Sequence, residues 1–147
     1  MNPKQVTFII DDLLNDLHTT VKEQLQTAGK PHIEVEIYRY SDERTCTILA
    51  DRELLRQVLA HLLDNAVKYI SRGFIVFGYH VMNDNLVDFF VDDTRKGNNE
   101  DTSLDLSVVR DLLQQMGSRL KAKPHQRLGA SFSFSIESEQ IELTKIA

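Results

Sequence analysis

Residues 51–70, DRELLRQVLAHLLDNAVKYI, carry the clearest structural pattern in the sequence. Apolar residues recur there every three or four positions, which predicts a long helix with one buried stripe. The stripe consists of Leu54, Leu55, Val58, Leu59, Leu62, Leu63, Ala66 and Val67. Asp51 stands where an N-cap acceptor belongs, just before the periodic residues begin. The stretch therefore predicts an amphipathic helix that begins after Asp51 and ends near Ile70.

The opposite face of this predicted helix carries an unusual set of polar residues. His61, Asn65 and Lys68 follow one another at spacings of four and three, so they share one side of the helix. A solvated helix face usually carries glutamate and lysine instead. Two interpretations are open for Asn65. It is a half-buried amide bonded to a neighbouring loop, which this helix alone favours, or it belongs to a ligand site.

Composition limits the class of protein. The chain has 147 residues, 41% of them hydrophobic and 27% charged, which is typical of one globular domain. A net charge of −5 argues against nucleic acid as the main partner. We expect a cytoplasmic location without membrane contact by this domain, because the sequence lacks both an apolar run of about 20 residues and a signal-peptide pattern. The single cysteine, Cys46, excludes an internal disulfide, and its strand-like surroundings predict a small buried residue.

The remaining periodicities predict a mixed α and β chain. The helices are expected at 12–28, 52–69 and 104–116, and the main strands at 32–40, 45–50, 74–81, 86–92 and 130–136. Gly78 interrupts one strand, which indicates a bulge or a close approach of backbone. We expect an α+β fold, a two-layer α/β sandwich in which a mixed sheet carries all helices on one face. The domain would cover residues 1–136, and residues 137–147 would form a C-terminal tail without regular structure.

The predicted helix also resembles a known motif. RQVLAHLLDNAVKY resembles the N box of the ATP-binding domain of sensor histidine kinases, in the superfamily shared with DNA gyrase. Asn65, Ala66, Lys68 and Tyr69 match the motif residue by residue. His61 takes the position at which the family has a catalytic asparagine or glutamate.

Three further segments resemble the same family, in the family's order. Residues 91–97, VDDTRKG, resemble the G1 box, and residues 104–120 resemble the helix that follows the G2 box. Residues 129–136, GASFSFSI, are similar to the strand that closes the domain. Together with the N box, these matches identify the histidine-kinase ATP-binding fold.

The resemblance implies a site for ATP and Mg²⁺. Asn65 would complete the oxygen shell of Mg²⁺, and Lys68 would neutralise a phosphate. Tyr69 would place its ring against the base, and Asp93 would accept a hydrogen bond from the adenine amine. Gly97 would be the remaining glycine of the G1 turn.

The departures from the family pattern indicate an impaired nucleotide site. Arg95 replaces the first glycine of the G1 box, where the family needs a tight turn. Asp105 lies where the G2 box offers glycine amides to phosphate, and it would oppose a triphosphate by about 4 kcal/mol per charge pair near 4 Å. The ATP lid is reduced to the five residues 98–102.

Three functions follow from these observations, and whether the chain is an enzyme is left open. The first is the ATP-binding domain of a two-component sensor histidine kinase, which passes a phosphoryl group from ATP to a histidine on a separate dimerisation domain and thence to a response regulator. The second is a nucleotide-free interaction module of the same fold. The third is a stand-alone kinase that acts on a regulatory protein. Nothing in the pattern marks His18, on the first helix, as a phosphoacceptor.

Overall fold

The structure, a computed structural model, describes residues 4–94, 106–125 and 129–146. Within these ranges the helices are α1 (Ile10–Thr27), α2 (Arg52–Tyr69) and α3 (Ser107–Gln115). The strands are β1 (Val6–Ile9), β2 (Glu34–Tyr38), β3 (Arg44–Ala50), β4 (Phe74–Asn83), β5 (Leu86–Asp93), β6 (Lys121–His125), β7 (Gly129–Glu137) and β8 (Ile141–Lys145). The predicted order of helices and strands is confirmed. The predicted start of α3 at residue 104 lies outside the described residues.

The main sheet has the strand order β2-β4-β5-β7-β6. β2 runs parallel to β4, while the other neighbours are antiparallel, so the predicted mixed sheet is confirmed. A second, antiparallel sheet of order β1-β3-β8 was not expected. The expectation of an irregular tail is wrong for residues 141–145, because β8 pairs with β3 and packs Ile141 and Leu143 against the core.

The helices form one layer on the main sheet. α2 contacts α1 and α3, while α1 contacts β2 and α2 contacts β5. The apolar side chains of the helices and the inner strand positions form one buried cluster. This arrangement confirms the two-layer α+β sandwich with its helices on one face.

Both ends of α2 agree with the sequence analysis. The Asp51 side chain accepts a hydrogen bond from the Leu54 backbone N–H at 3.0 Å and caps the helix. It also accepts one from the Lys4 backbone N–H at 2.9 Å. The predicted apolar stripe is buried except for Leu54, which is partly buried.

Gly78 is a point of close backbone approach, as predicted. A Cβ atom at Gly78 would lie 2.1 Å from the carbonyl oxygen of Tyr38 on the neighbouring strand. The irregular step of β4 lies elsewhere, between Val81 and Asn83. Only glycine therefore lets β2 and β4 pair at this row.

A buried carboxylate joins the helix layer to both sheets. Asp11, in the first turn of α1, is 3% exposed. It accepts hydrogen bonds from the Cys46 backbone N–H of β3 at 2.9 Å and from the Tyr79 hydroxyl of β4 at 3.1 Å. The Arg39 guanidinium lies 3.4 Å from the same carboxylate and compensates its charge. Asp11 thereby fixes the start of α1 against two sheets at once.

The surroundings of Asp11 keep two neighbouring groups protonated. Burial, reinforced by the Asp11 charge, raises the pKa of the Cys46 thiol to about 12. The same causes raise the pKa of the Tyr79 hydroxyl above its ordinary value, so the hydroxyl remains a donor to Asp11. The prediction that Cys46 is a small buried residue is confirmed by its complete burial in β3.

We predict that Asp11→Ala lowers the free energy of unfolding by about 3 kcal/mol or more, because it leaves a buried N–H and a buried hydroxyl without their acceptor. Urea denaturation measures the change. Asp12→Ala is the matched control, because Asp12 is the exposed neighbour in the same helical turn and should change stability by less than about 1 kcal/mol. Equal losses in the two variants would contradict a role for the buried network.

Candidate functional site

The polar face of α2 is oriented as the sequence predicts. Asn65 is half-buried, while His61 and Lys68 are exposed. The Lys68 Nζ atom lies 5.9 Å from the ring centroid of Tyr69. The Asn65 side chain makes no hydrogen bond to any residue that the structure describes. The expected loop partner of a purely structural asparagine is therefore not found in the described ranges.

Asp93 lies on the same side of the main sheet as α2. It is the last residue of β5, where the register places it between Ile75 of β4 and Ala130 of β7. Its side chain is on the inner face and is 2% exposed. Because α2 packs on β5, Asp93 lies on the side of the sheet that carries this helix.

Thr94 ties the end of β5 to the turn that follows α2. Its hydroxyl accepts a hydrogen bond from the Phe74 backbone N–H at 2.9 Å and donates to the Arg72 carbonyl at 3.0 Å. A Cβ atom at Gly73 would lie 1.9 Å from the Thr94 hydroxyl oxygen, and Gly73 has φ +98°. The turn therefore requires glycine at position 73. Through Thr94, it connects the end of β5, which carries Asp93, to the segment that follows α2.

The segment after α1 holds the C-terminal end of α2. The Lys30 ammonium donates to the carbonyl oxygens of Val67 and Lys68, at 2.8 and 3.2 Å. A His32 ring nitrogen lies 3.0 Å from the carbonyl oxygen of Ser71. A cation at this end also complements the helix dipole. Sequence reasoning missed these contacts, because the partners are 37 to 39 residues apart and no local pattern joins them.

An open groove of about 580 Å³ lies between α1 and α2. Its lining residues are Thr20, Glu23, Gln24, Thr27, Ala28, Asp64, Val67 and Lys68. A triphosphate in this groove would meet the carboxylates of Glu23 and Asp64, which would repel it. The groove is thus a poor phosphate site, although Lys68 borders it.

The described residues fit a magnesium ion only if phosphate accompanies it. They contain no group of three or more histidine, cysteine, aspartate or glutamate side chains that would hold a metal. Mg²⁺ bound through phosphates needs few protein ligands, and a neutral amide such as that of Asn65 suits it. Gly97, Arg95, Asp105 and the shortened lid at 98–102 lie outside the described residues. In the described part of the chain, every helix is too short or too polar to cross a membrane.

The comparisons with known proteins rest on structure. No protein-family model matches the sequence, and no curated protein matches it significantly. Full-length ShkA, solved in complex with AMPPNP, is similar at a TM-score of 0.78 and 24% identity over 100% of this chain. The histidine kinase AdeS of Acinetobacter baumannii is similar at 0.75 and 20% identity, over 95% of this chain and 70% of its own. The ATP-binding domain of PrrB from Mycobacterium tuberculosis is similar at 0.72 and 21% identity, over 93% of this chain and 99% of its own.

The extent of each match defines the unit that is shared. This chain spans 33% of the length of ShkA but almost the whole of the isolated PrrB domain. The shared unit is therefore a single domain, which includes α2, β5 and the face of the sheet on which α2 packs. The described part of the chain has the fold of the catalytic, ATP-binding domains of histidine kinases.

Proposed function

We propose that this chain is the ATP-binding domain of a two-component sensor histidine kinase, with an impaired nucleotide site. Its partners are then the dimerisation domain that carries the phosphoacceptor histidine and a response regulator, in the cytoplasm. The observation that carries the proposal is the half-buried amide of Asn65 on α2, which bonds to none of the described residues and lies on the same side of the sheet as Asp93. This pairing of helix and strand occurs in a fold shared with kinase ATP-binding domains.

The proposed roles follow from the chemistry of each group. Asn65 contributes an oxygen to Mg²⁺, which the nucleotide phosphates also coordinate. Lys68 neutralises phosphate charge, and Asp93 accepts a hydrogen bond from the base. Phosphoryl transfer depends mainly on positioning and on charge neutralisation. The hydrogen bonds of Lys30 and Thr94 hold the C-terminal end of α2 and the turn after it, which supports this assignment.

His61 is the weakest member of the proposed site. Its ring is exposed on α2, one helical turn before Asn65. A neutral imidazole is a poorer ligand for Mg²⁺ than a carboxylate or an amide oxygen, because Mg²⁺ prefers oxygen. We propose that His61 occupies the family's catalytic position without supplying the same chemistry.

The proposed impairment follows from departures in the sequence. Arg95 replaces a glycine of the G1 box, beside the base, and Asp105 replaces a glycine of the G2 box, which binds phosphate. The lid at 98–102 is too short to enclose a nucleotide. The nucleotide-free interaction module is the alternative function. It is favoured by Asp105, which would offer a carboxylate to the helix amides that otherwise bind phosphate.

We predict weak native binding of nucleotide. Isothermal titration at millimolar ATP and Mg²⁺ should show little or no heat, because Asp105 repels phosphate and the short lid leaves the site open to water. A dissociation constant in the low micromolar range would contradict the impairment and restore an active kinase site.

We predict that Arg95→Gly combined with Asp105→Gly raises the affinity for Mg-ATP on the order of a hundredfold. The double variant reopens the turn at the base and removes one like-charge repulsion. The gain should fall at high salt, since much of it is electrostatic. If the folded double variant binds no better than the native chain, the obstruction does not lie at these two positions.

We predict that Asn65→Ala weakens Mg-ATP binding at least tenfold, about 1.4 kcal/mol, with little loss of stability. The measurement uses the double variant as background if native binding is below detection. Gln57→Ala is the matched control, because Gln57 is an amide on the same helix whose contact is with Glu53. Unchanged affinity in Asn65→Ala, in a background that binds nucleotide, would show that the amide is structural.

A further inference from the structure

The outer face of the main sheet, opposite the helices, is unusually apolar on one half. Strand alternation directs Tyr38 of β2, Phe74 of β4 and Phe90 of β5 to this face, and Met82 is exposed at the irregular step near the end of β4. Tyr38 and Phe74 are each 44% exposed, and Met82 is 54% exposed. Phe74 and Met82 stand near the two ends of β4, while Tyr38 and Phe90 flank its middle, so exposed large side chains occur along the whole strand.

Three rings at the centre of this half form what we call the aromatic platform: Tyr38, His80 and Phe90. The ring centroids of Tyr38 and His80 are 4.8 Å apart, those of His80 and Phe90 5.4 Å, and those of Tyr38 and Phe90 5.8 Å. The register explains the cluster, because Gly78 stands between Tyr38 and Phe90 and has no side chain to separate them. The platform is pre-packed, so a partner would order few side chains on binding.

Carboxylates surround the aromatic platform. Glu34 and Glu36 are exposed on β2, on the same face as Tyr38. On β5, Asp88 is the cross-strand partner of His80, and Asp92 follows Phe90 on the same face. Ser135 and Ser131 of β7 donate hydrogen bonds to Asp88 and Asp92, which fixes both carboxylates in place. The half formed by β2, β4 and β5 is therefore apolar in the centre and acidic around it, whereas Lys121 and Lys123 lie two strands away from β5, on β6.

This charge pattern excludes several occupants. Nucleic acid and anionic membranes would be repelled by the carboxylates. A second copy could face this sheet about a two-fold axis along the strands or across them. An axis along β4 would place Asp92 of one copy opposite Glu36 of the other, because both residues lie level with Val76. An axis across the strands at the aromatic platform would place Asp88 opposite Asp92. Both orientations place like charges together, which disfavours self-association.

We propose that this half of the outer face binds a basic amphipathic helix of a partner protein. β2 and β5 are two strand spacings apart, about 10 Å, which matches the diameter of one helix. The exposed positions of β4 from Phe74 to Met82 span about 26 Å, the length of a helix of about 18 residues. The apolar stripe of such a helix would cover the aromatic platform, while its lysines or arginines would meet the flanking carboxylates. The proposal does not depend on the nucleotide site, which lies on the other side of the sheet.

The test uses a defined peptide with this full chain. The probe is an amphipathic peptide of about 18 residues made of leucine and lysine, with leucine every three or four positions. Its control has the same composition in an order that scatters the leucines around the helix. Fluorescence anisotropy measures affinity, and amide chemical shifts locate the peptide. We expect saturable binding of the patterned peptide, with shifts on β2, β4 and β5, and at least tenfold weaker binding of the scattered one.

Two pairs of variants distinguish binding by the aromatic platform from attraction to acidic surface in general. Tyr38→Thr with Phe90→Thr should weaken binding at least tenfold while retaining strand-forming residues. Glu34→Gln with Glu36→Gln should weaken it severalfold and reduce its dependence on salt. The charge-matched control, Glu23→Gln with Asp64→Asn, removes two carboxylates from the groove between α1 and α2 and should leave affinity unchanged.

Several results would overturn the proposal. They are equal losses in the two charge-removal pairs, equal binding of both peptides, and shifts confined to the groove between α1 and α2. Sedimentation of the chain without peptide tests the other occupant. A concentration-dependent dimer that Tyr38→Thr with Phe90→Thr abolishes would assign the face to a second copy instead.

Discussion

The buried carboxylate of Asp11 is the interaction on which the layers of this fold depend. A carboxylate removed from water is stable only if donors and an opposite charge replace the water, and Asp11 obtains them from three separate parts of the chain. The donors are the Cys46 backbone on the small sheet, the Tyr79 hydroxyl on the main sheet and Arg39 beyond β2. The start of α1 supplies further favourable charge through its dipole. Hydrophobic burial alone would tolerate sliding between layers, whereas this directional network permits one arrangement.

The candidate site inherits its geometry from that arrangement. α2 is held laterally by its apolar stripe, which packs on β5 and on the neighbouring helices. Asp51 fixes its first turn, and Lys30 fixes its last carbonyls. Asn65 and Lys68 lie on the face of α2 that takes no part in this packing. The site is therefore positioned by residues that would take no part in its chemistry.

The sequence predicts best what is encoded locally. The bounds of α2 follow from its own period and its N-cap, and they agree with the structure. The small sheet was missed because β8 gains its stability from β3, about a hundred residues earlier, and Ile141 and Leu143 alone are too short a signal. Residue spacing predicts the polar face that includes Asn65. Only the family resemblance predicts a role for Asp93, since a lone aspartate after a strand is usually a solvated turn residue. The aromatic platform requires the register of three strands, which no local pattern gives.

The separation between packing and polar chemistry explains how such a site would decay without loss of the fold. Asn65 and Lys68 make no hydrogen bond or ion pair through their side chains to the described residues, so their replacement removes little stabilisation. Selection on stability therefore places little constraint on Asn65 and Lys68. The outer face differs, because Tyr38 covers the bare backbone of Gly78, and the register of β2 and β4 constrains that glycine. Strand pairing, not a nucleotide, constrains Gly78, so the row on which the aromatic platform stands does not depend on the nucleotide site.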